Sequence, residues 1–424
     1  MNLIFLALAA AGFAVATLRQ LGWDGVGAAP MELLSSGMIK AADGAVTLSI
    51  GTIGAMALFL GLLKVAEHGG LLVVVAKALR PLLVRLFPEV PAGHPAMGAV
   101  IFNLSANVLG LGNAATPFGI RAMQELDRLN PHKGTASNAM VLFLAINTSS
   151  ITLLPTSVIA LRAAAGSADP ASIVGTTLFA TACSTVVAII AAIWLAPRFP
   201  VPAKTADQPD STDDDGAEPL PPAESYPAWV SWLALGAVLA LVPLTLGWGR
   251  QVTPWIVPGL VVGLLGFGAA RGVKVYESFV EGAREGFEVG VRIIPYLVAI
   301  LVVIAMLRES GALAMIIEPL GRITGPLGLP AEVLPLALLR PLSGSGAFGV
   351  LAALIQDPMI GPDGYIGVLA STVMGCTETT FYVLAVYFGA VQIRRIRHAL
   401  VVGLLADAAG VVGAVVICRW LYGG

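Results

Sequence analysis

Two stretches decide how this chain folds: Asn103-Leu-Ser-Ala-Asn-Val-Leu-Gly in the first half and Leu342-Ser-Gly-Ser-Gly-Ala-Phe-Gly in the second. Both are embedded in long apolar surroundings, yet their Asn, Ser and Gly content would break a lipid-facing helix. Irregular backbone at membrane depth survives only when it is buried in protein or lines a wet cavity. Each belongs to a larger interrupted apolar region, 71–105 and 313–354. The stretches 103–116 and 340–349 are therefore expected to be broken helices that meet near the membrane centre.

The surroundings are those of a polytopic membrane protein. Apolar residues make up 57% of the 424 positions and charged residues 12%, about half of what a soluble domain carries on average. A membrane helix needs about 20 mostly apolar residues. Nine spans qualify: 3–18, 45–63, 139–161, 173–195, 229–246, 255–270, 289–307, 366–391 and 399–421. The first of them reads as a retained helix, since neither a positive leader nor an A-x-A site marks it for cleavage. A net charge of −2 gives no reason to expect nucleic acid. Cys183, Cys376 and Cys418 all lie in apolar segments and form no CxxC pair, which argues against a disulfide framework or a structural zinc site.

Residues 197–227 are different in kind, with eight prolines and the acidic run Asp213, Asp214 and Asp215. Such a segment cannot pack a core and reads as a solvated tether. It divides the chain into 1–196 and 228–424, the latter with an extra leading helix. The two parts match in order. Lys64-Val-Ala-Glu-His-Gly-Gly corresponds to Met306-Leu-Arg-Glu-Ser-Gly-Ala, the two quoted stretches correspond, and Asn147-Thr-Ser-Ser-Ile-Thr falls where Cys376-Thr-Glu-Thr-Thr-Phe falls. Two repeats result, about 45–195 and 289–421. Their charge bias is opposite. Segment 121–137 carries Arg121, Arg128 and Lys133 against no Lys or Arg in 356–365, whereas 392–398 carries Arg394, Arg395 and Arg397 against one basic residue in 162–172. Basic loops favour the cytoplasm, so the repeats are inverted, with 121–137 and the tether inside and 357–364 outside. The expected fold is all-α, two inverted repeats with re-entrant or broken helices, about nine full spans plus two hairpins. In that parity 71–120 enters and leaves on one side.

Inverted repeats with interrupted helices are a recurrent transporter architecture, with the site near the midplane at the repeat interface. The polar residues concentrate at four matching places: Asn103, Ser105 and Asn107 with Asn113 and Thr116; Asn147, Thr148, Ser149 and Ser150; Ser343 and Ser345; and Thr377, Glu378, Thr379 and Thr380. Hydroxyls and amides suit a neutral polar solute, because they donate and accept without a desolvated permanent charge. Interhelical packing is the competing use of the same residue types. Glu378 is the sharpest single residue, a carboxylate well inside an apolar span with no basic neighbour in sequence. A raised pKa, a bound cation or an internal polar cavity would relieve its cost. Asp407 is a second acid at membrane depth, His68 beside Glu67 reads as interfacial, and Cys376 has no neighbouring Cys or His to complete a metal site. No phosphate loop, HExxH or Gly-x-Ser-x-Gly motif is present, so an enzyme is not expected and no cofactor is implied.

The run from Asn103 to Leu126, with Asn147-Thr-Ser-Ser-Ile-Thr-Leu-Leu-Pro-Thr, resembles spore maturation protein A. The stretch from Arg340-Pro-Leu-Ser-Gly-Ser-Gly-Ala to Met374-Gly-Cys-Thr-Glu-Thr-Thr-Phe-Tyr resembles spore maturation protein B. The chain thus looks like a natural fusion of the two, both in the nucleoside-recognition Gate-domain group. That group is similar to segments of concentrative nucleoside transporters and ferrous-iron permeases. The resemblance implies transport of a small polar solute, nucleoside-like or other, across a bacterial inner membrane, with a proton or sodium ion as candidate coupling cation and a homo-oligomer compatible with it. Two rivals stay open: a divalent-metal permease using Met374, Cys376 and Glu378, and a scaffold or receptor that binds without transporting. Gly375-Cys376 lacks the Asn and Pro that follow Gly-Cys in the iron permeases, and no GTPase domain accompanies it.

Overall fold

The computed structural model describes residues 2–110, 112–149, 151–200 and 226–423, with backbone alone at 2–4, 112–114, 239, 241–242, 245–250, 252–253 and 316. The expected tether lies almost wholly outside the described residues. Everything described is helix, 3-10 turn or loop, apart from one isolated bridge between Thr135 and Arg395.

The first repeat opens with α2 (Pro30–His68), which follows α1 (Asn2–Leu21). After α2 come α3 (Leu71–Leu86), α4 (Pro95–Leu109), α5 (Gly112–Leu129), α6 (Asn138–Ser149), α7 (Thr156–Ala164) and α8 (Ile173–Leu195). After α9 (Ala228–Ala270) the same order returns: α10 (Val275–Ser310), α11 (Ala312–Thr324), α12 (Leu334–Leu339), α13 (Gly344–Gln356), α14 (Tyr365–Gly375), α15 (Thr380–Ala390) and α16 (Ala399–Tyr422). The corners α2–α3 and α10–α11 turn on Gly70 and Gly311, both with positive φ, where a side chain would be strained. That corner sits one residue out of the register the sequence comparison gave.

The long helices α2 and α10 pack closely through a stripe of small residues on α10. A Cβ at Gly282, Gly286 or Gly290 would stand 2.4, 2.7 and 2.5 Å from Leu60, Ala57 and Ile53 respectively. A four-residue spacing of glycines brings helix backbones together in this way. On the other side of the molecule α8 packs on α16, with the two broken helices α6–α7 and α14–α15 against them.

Both hairpins are present as expected. In the first, α4 and α5 turn at Gly110 (φ +75°); in the second, α12 and α13 turn across Arg340–Ser343, with Ser343 Oγ accepting from Gly346 N at 3.1 Å as the α13 cap. Two of the expected continuous spans are broken instead. Span 139–161 parts into α6 and α7 before Pro155, which has no amide to give a helix. Span 366–391 parts into α14 and α15 across Cys376–Thr379, because Glu378 N is committed outside its own helix.

Spans 229–246 and 255–270 are not separated by a loop: α9 is one helical run containing Pro243, Pro254 and Pro258. Its ends lie beside the same corner, Tyr226 N donating to Lys77 O at 3.3 Å and Phe267 packing on Gly69. A straight run of 43 residues would be about 65 Å long, so α9 bends back on itself, and proline is the usual cause.

Two loop latches join the repeats. On one side Arg394 N and Arg395 N donate to Gly134 O at 2.9 and 3.0 Å, and Ala136 N donates to Arg395 O at 3.0 Å. Arg397 adds bonds to Ala136 O, Asn138 Oδ1, Ala196 O and Phe199 O. On the other side the fully buried Arg162 donates to Asp363 Oδ1 at 2.9 Å, to Ser172 Oγ at 3.1 Å, and to Pro362 O. Because one latch touches Ser172, before α8, and the other Ala196, after it, the length of α8 separates them. Its 23 residues make that about 34 Å, the thickness of a bilayer core. The two basic loops thus share one face and the two loops poor in basic residues the other, in the relation that charge bias anticipated.

Candidate functional site

The two helix breaks touch each other at the centre. Glu378 N donates to Thr148 O at 2.8 Å, a backbone bond from the second break to the first. Each break is also tied to the hairpin of its own repeat: Leu153 N to Val108 O at 3.1 Å, and Phe381 N to Pro341 O at 3.0 Å. Broken helices leave carbonyls without intrahelical partners, and in the second repeat one side chain collects them. Arg340, 6% exposed, donates through Nε to Met374 O at 3.1 Å, through Nη1 to Thr379 Oγ1 at 3.1 Å, and through Nη2 to Thr377 O.

Beside this junction lies a cavity of about 630 Å³. Both hairpins reach it, through Asn107 and Gly110 and through Arg340 and Gly344. Both breaks reach it, through Thr152 and 154–158 and through Met374, Gly375, Glu378 and Thr379. The helices α2 and α10 close the far wall with Leu60, Leu63, Lys64, Glu67, Glu285 and Val289. At that wall Lys64 Nζ pairs with Glu285 at 3.1 Å, Glu67 at 3.5 Å and Glu281 at 3.6 Å. Glu378 faces the cavity with its side chain 51% exposed and its Oε2 3.8 Å from Arg340 Nη2.

The expected site residues sort into three groups. Asn107, Glu378 and Thr379 line the cavity. Asn147 stands one step behind, accepting from Asn107 Nδ2 at 2.8 Å, and Asn103 Nδ2 donates to Ala115 O at 2.8 Å beside the Tyr387 hydroxyl. Six of the others do structural work. Ser105, Thr148 and Ser149 bond back to their own helices, Ser343 caps α13, Thr377 lies buried beneath Gly410, and Thr380 bonds to Asp407. Ser345 is exposed and Thr116 partly buried, and neither lines the cavity. Ser150 and the side chain of Asn113 lie outside the described residues. Cys376 is buried, donates to Val373 O and does not line the cavity. Arg340, Lys64 and Glu285 were not anticipated as site residues; each is a charge that acquires its place only through tertiary contact.

An all-α membrane protein of two inverted repeats, with broken helices and hairpins around a shared polar cavity, is the class that fold and site define. The chain belongs to the Gate family, described as nucleoside recognition, which matches residues 49–165 and 290–394, more than half of the sequence. It is 50% identical to spore maturation protein B of Bacillus subtilis (strain 168) over 177 residues, 41% of this chain and 98% of that protein. It is 46% identical to spore maturation protein A of the same organism over 160 residues, 38% of this chain and 82% of that protein. Among solved structures it resembles the YdaH transporter of Alcanivorax borkumensis at 17% identity and a TM-score of 0.43, over 98% of this chain and 97% of that one.

Proposed function

We propose that this protein carries a small polar solute, nucleoside-like in size and hydrogen bonding, across the bacterial inner membrane by way of the central cavity. In this reading 1–196 is the spore-maturation-A-like part and 228–424 the B-like part. The observation that carries the proposal is the cavity itself: its volume lies within the usual 300–1,000 Å³ of small-molecule sites, and both repeats supply its wall. Asn107, Thr379 and Glu378 offer donors and acceptors for a solute. The N-terminal ends of α7 and α13, at Thr156 and Gly344, begin at the same wall and favour the electronegative edge of a ligand. We take the Lys64 and Glu285 side of the cavity as its cytoplasmic entrance, because the segment that follows Lys64 adds Lys77, Arg80 and Arg85 and basic segments favour that face. Glu378 is the solute-facing carboxylate, and the Glu378 N to Thr148 O contact lies deep to it. The divalent-metal reading loses Cys376, which points away from the cavity.

The test uses the full chain in liposomes with a panel of labelled nucleosides. Saturable uptake that Glu378→Gln weakens is the expected result. Binding without uptake would support the receptor reading instead. Absence of both binding and uptake, with no protection of Ser157→Cys from a thiol reagent by any nucleoside, would overturn the assignment of the cavity.

A further inference from the structure

Glu378 is half exposed and has the cation of Arg340 beside it; the acid with neither is Asp407. Its residue is 6% exposed, its Oδ2 meets Thr380 Oγ1 at 2.6 Å, and its Oδ1 is buried without a hydrogen-bond partner. Thr380 is the first residue of α15, at the exit of the second helix break. The seam around the pair is tight. A Cβ at Gly403 would stand 2.6 Å from Thr380 Cγ2, and one at Gly410 2.7 Å from Thr377 Cγ2. On the α8 side Ser184 Oγ donates to Ala406 O at 2.8 Å.

The charged and titratable groups on the packed elements leave Asp407 without a counterion. Helices α6 and α8 carry no charged residue, and Cys183 is the one titratable group between them. Helix α14 brings Tyr365 and, at its end, Cys376; α15 brings Tyr382 and Tyr387. Arg340 is the nearest cation in that direction, and it is engaged with Met374 O, Thr377 O and Thr379 Oγ1. On its own helix Asp407 has His398 before the first turn and, at the far end, Cys418, Arg419 and Tyr422. An anionic carboxylate with one donor for two oxygens, sealed from water, is strongly disfavoured. A neutral carboxyl fits the same contacts: one O–H···O bond shared with Thr380, and a carbonyl oxygen that tolerates the apolar side.

We propose that Asp407 is a proton-binding site, and that its proton closes the seam between α15 and α16. Loss of the proton requires water at Oδ1, so it favours an opened seam and a displaced Thr380, the hinge residue of the break that lines the solute cavity. Proton affinity and seam opening are then linked equilibria, each shifting the other. The use of this proton in transport rests on the function proposed above; its presence does not.

Infrared spectroscopy of the full chain in liposomes tests the protonation directly. At pH 7 the wild-type protein should retain a protonated-carboxyl C=O band. Asp407→Asn should remove it, Thr380→Val should shift it to higher frequency, and Glu378→Gln should leave it in place. Absence of the band from wild type at pH 7 would overturn the proposal. So would its disappearance when sodium replaces choline in the buffer, which would make the site a sodium site. Where nucleoside uptake is measurable, Asp407→Asn should lose the dependence on a pH gradient, and full retention of it would overturn the coupling role. If no variant takes up any nucleoside, the transport reading fails while the spectrum still decides the protonation.

Discussion

Arg340→Met removes the side chain that holds the second helix break together. Three acceptors lose a donor: the carbonyls of Met374 and Thr377 and the hydroxyl of Thr379, in residues 9%, 4% and 7% exposed. A buried polar group left unsatisfied costs about 1–3 kcal/mol, so the two carbonyls together cost roughly 2–6 kcal/mol. Because the aliphatic stem of Arg340 is already buried, the methionine returns only part of the about 1.5–3 kcal/mol of a full side-chain burial. The Glu378 pair adds little, since its carboxylate is half exposed and 3.8 Å away. A net local loss of about 3 kcal/mol corresponds to roughly a hundredfold rise in opening of the break. Hydrogen–deuterium exchange read by mass spectrometry is the direct assay, because the amides of Glu378 and Phe381 are protected only by bonds to Thr148 O and Pro341 O. Peptides spanning 374–382 should exchange about a hundredfold faster in the variant, while peptides from the middle of α8 stay unchanged. Arg340→Lys should fall between the two, since an ammonium lacks the planar fork that reaches several acceptors. Unchanged exchange across 374–382 in Arg340→Met would refute the view that Arg340 holds the break.

Glu378→Gln should lower nucleoside affinity in a binding titration while shifting the melting temperature by no more than a degree or two, because a half-exposed carboxylate contributes little to folding. Gly286→Val should separate α2 from α10, since even a Cβ there would sit 2.7 Å from the Ala57 backbone; a strongly lowered melting temperature is expected, and a wild-type melt would contradict the packing. Thiol labelling at Pro131→Cys and at Met359→Cys, both exposed, should come from opposite faces of the membrane; labelling of both from one face would disprove the inverted arrangement.

Much of this architecture is legible in the sequence because it rests on composition and on order. Low charge content, recurrent apolar spans and the matched polar clusters are local properties, and the opposite charge bias of 121–137 and 356–365 carries orientation. The breaks in 139–161 and 366–391 were hidden because an apolar helix interrupted by four to six residues keeps a high mean hydropathy. Pro155 was the available signal for the first, and the run Cys376-Thr-Glu-Thr for the second. The division of labour among the hydroxyls was not readable. Ser105, Thr148 and Ser149 are chemically identical to cavity residues and differ only in which way their helices turn. Arg340 and Arg162 stayed hidden for another reason: their partners are loop and break carbonyls from other elements, to which sequence spacing gives no clue.

The latches decide which parts can move. Inverted-repeat carriers are often pictured with one repeat rocking against the other, but here each face of the molecule has the repeats tied together. Gly134 and Ala136 of the first repeat are bonded to 394–395 of the second, and Arg162 of the first is bonded to Pro362 and Asp363 of the second. The breaks are joined at the centre as well, through Glu378 N and Thr148 O. Rocking would sever all three. The cavity lies between this joined body and the stretch of the α2–α10 pair that carries Leu60, Leu63, Lys64, Glu285 and Val289, while farther along α2 packs on α7 and Ile300 of α10 packs on Gly349 of α13. Motion of the joined body against α2 and α10 would change access to the cavity and leave every latch intact. A disulfide between Thr135→Cys and Arg395→Cys, the residues of the isolated bridge, should therefore be harmless. In a background with the native cysteines replaced by serine, Ser157→Cys should remain reachable by an impermeant thiol reagent from both faces after the latch is oxidised. Loss of access from either face on oxidation, restored by reduction, would show that the latch opens during the cycle and that the repeats do rock.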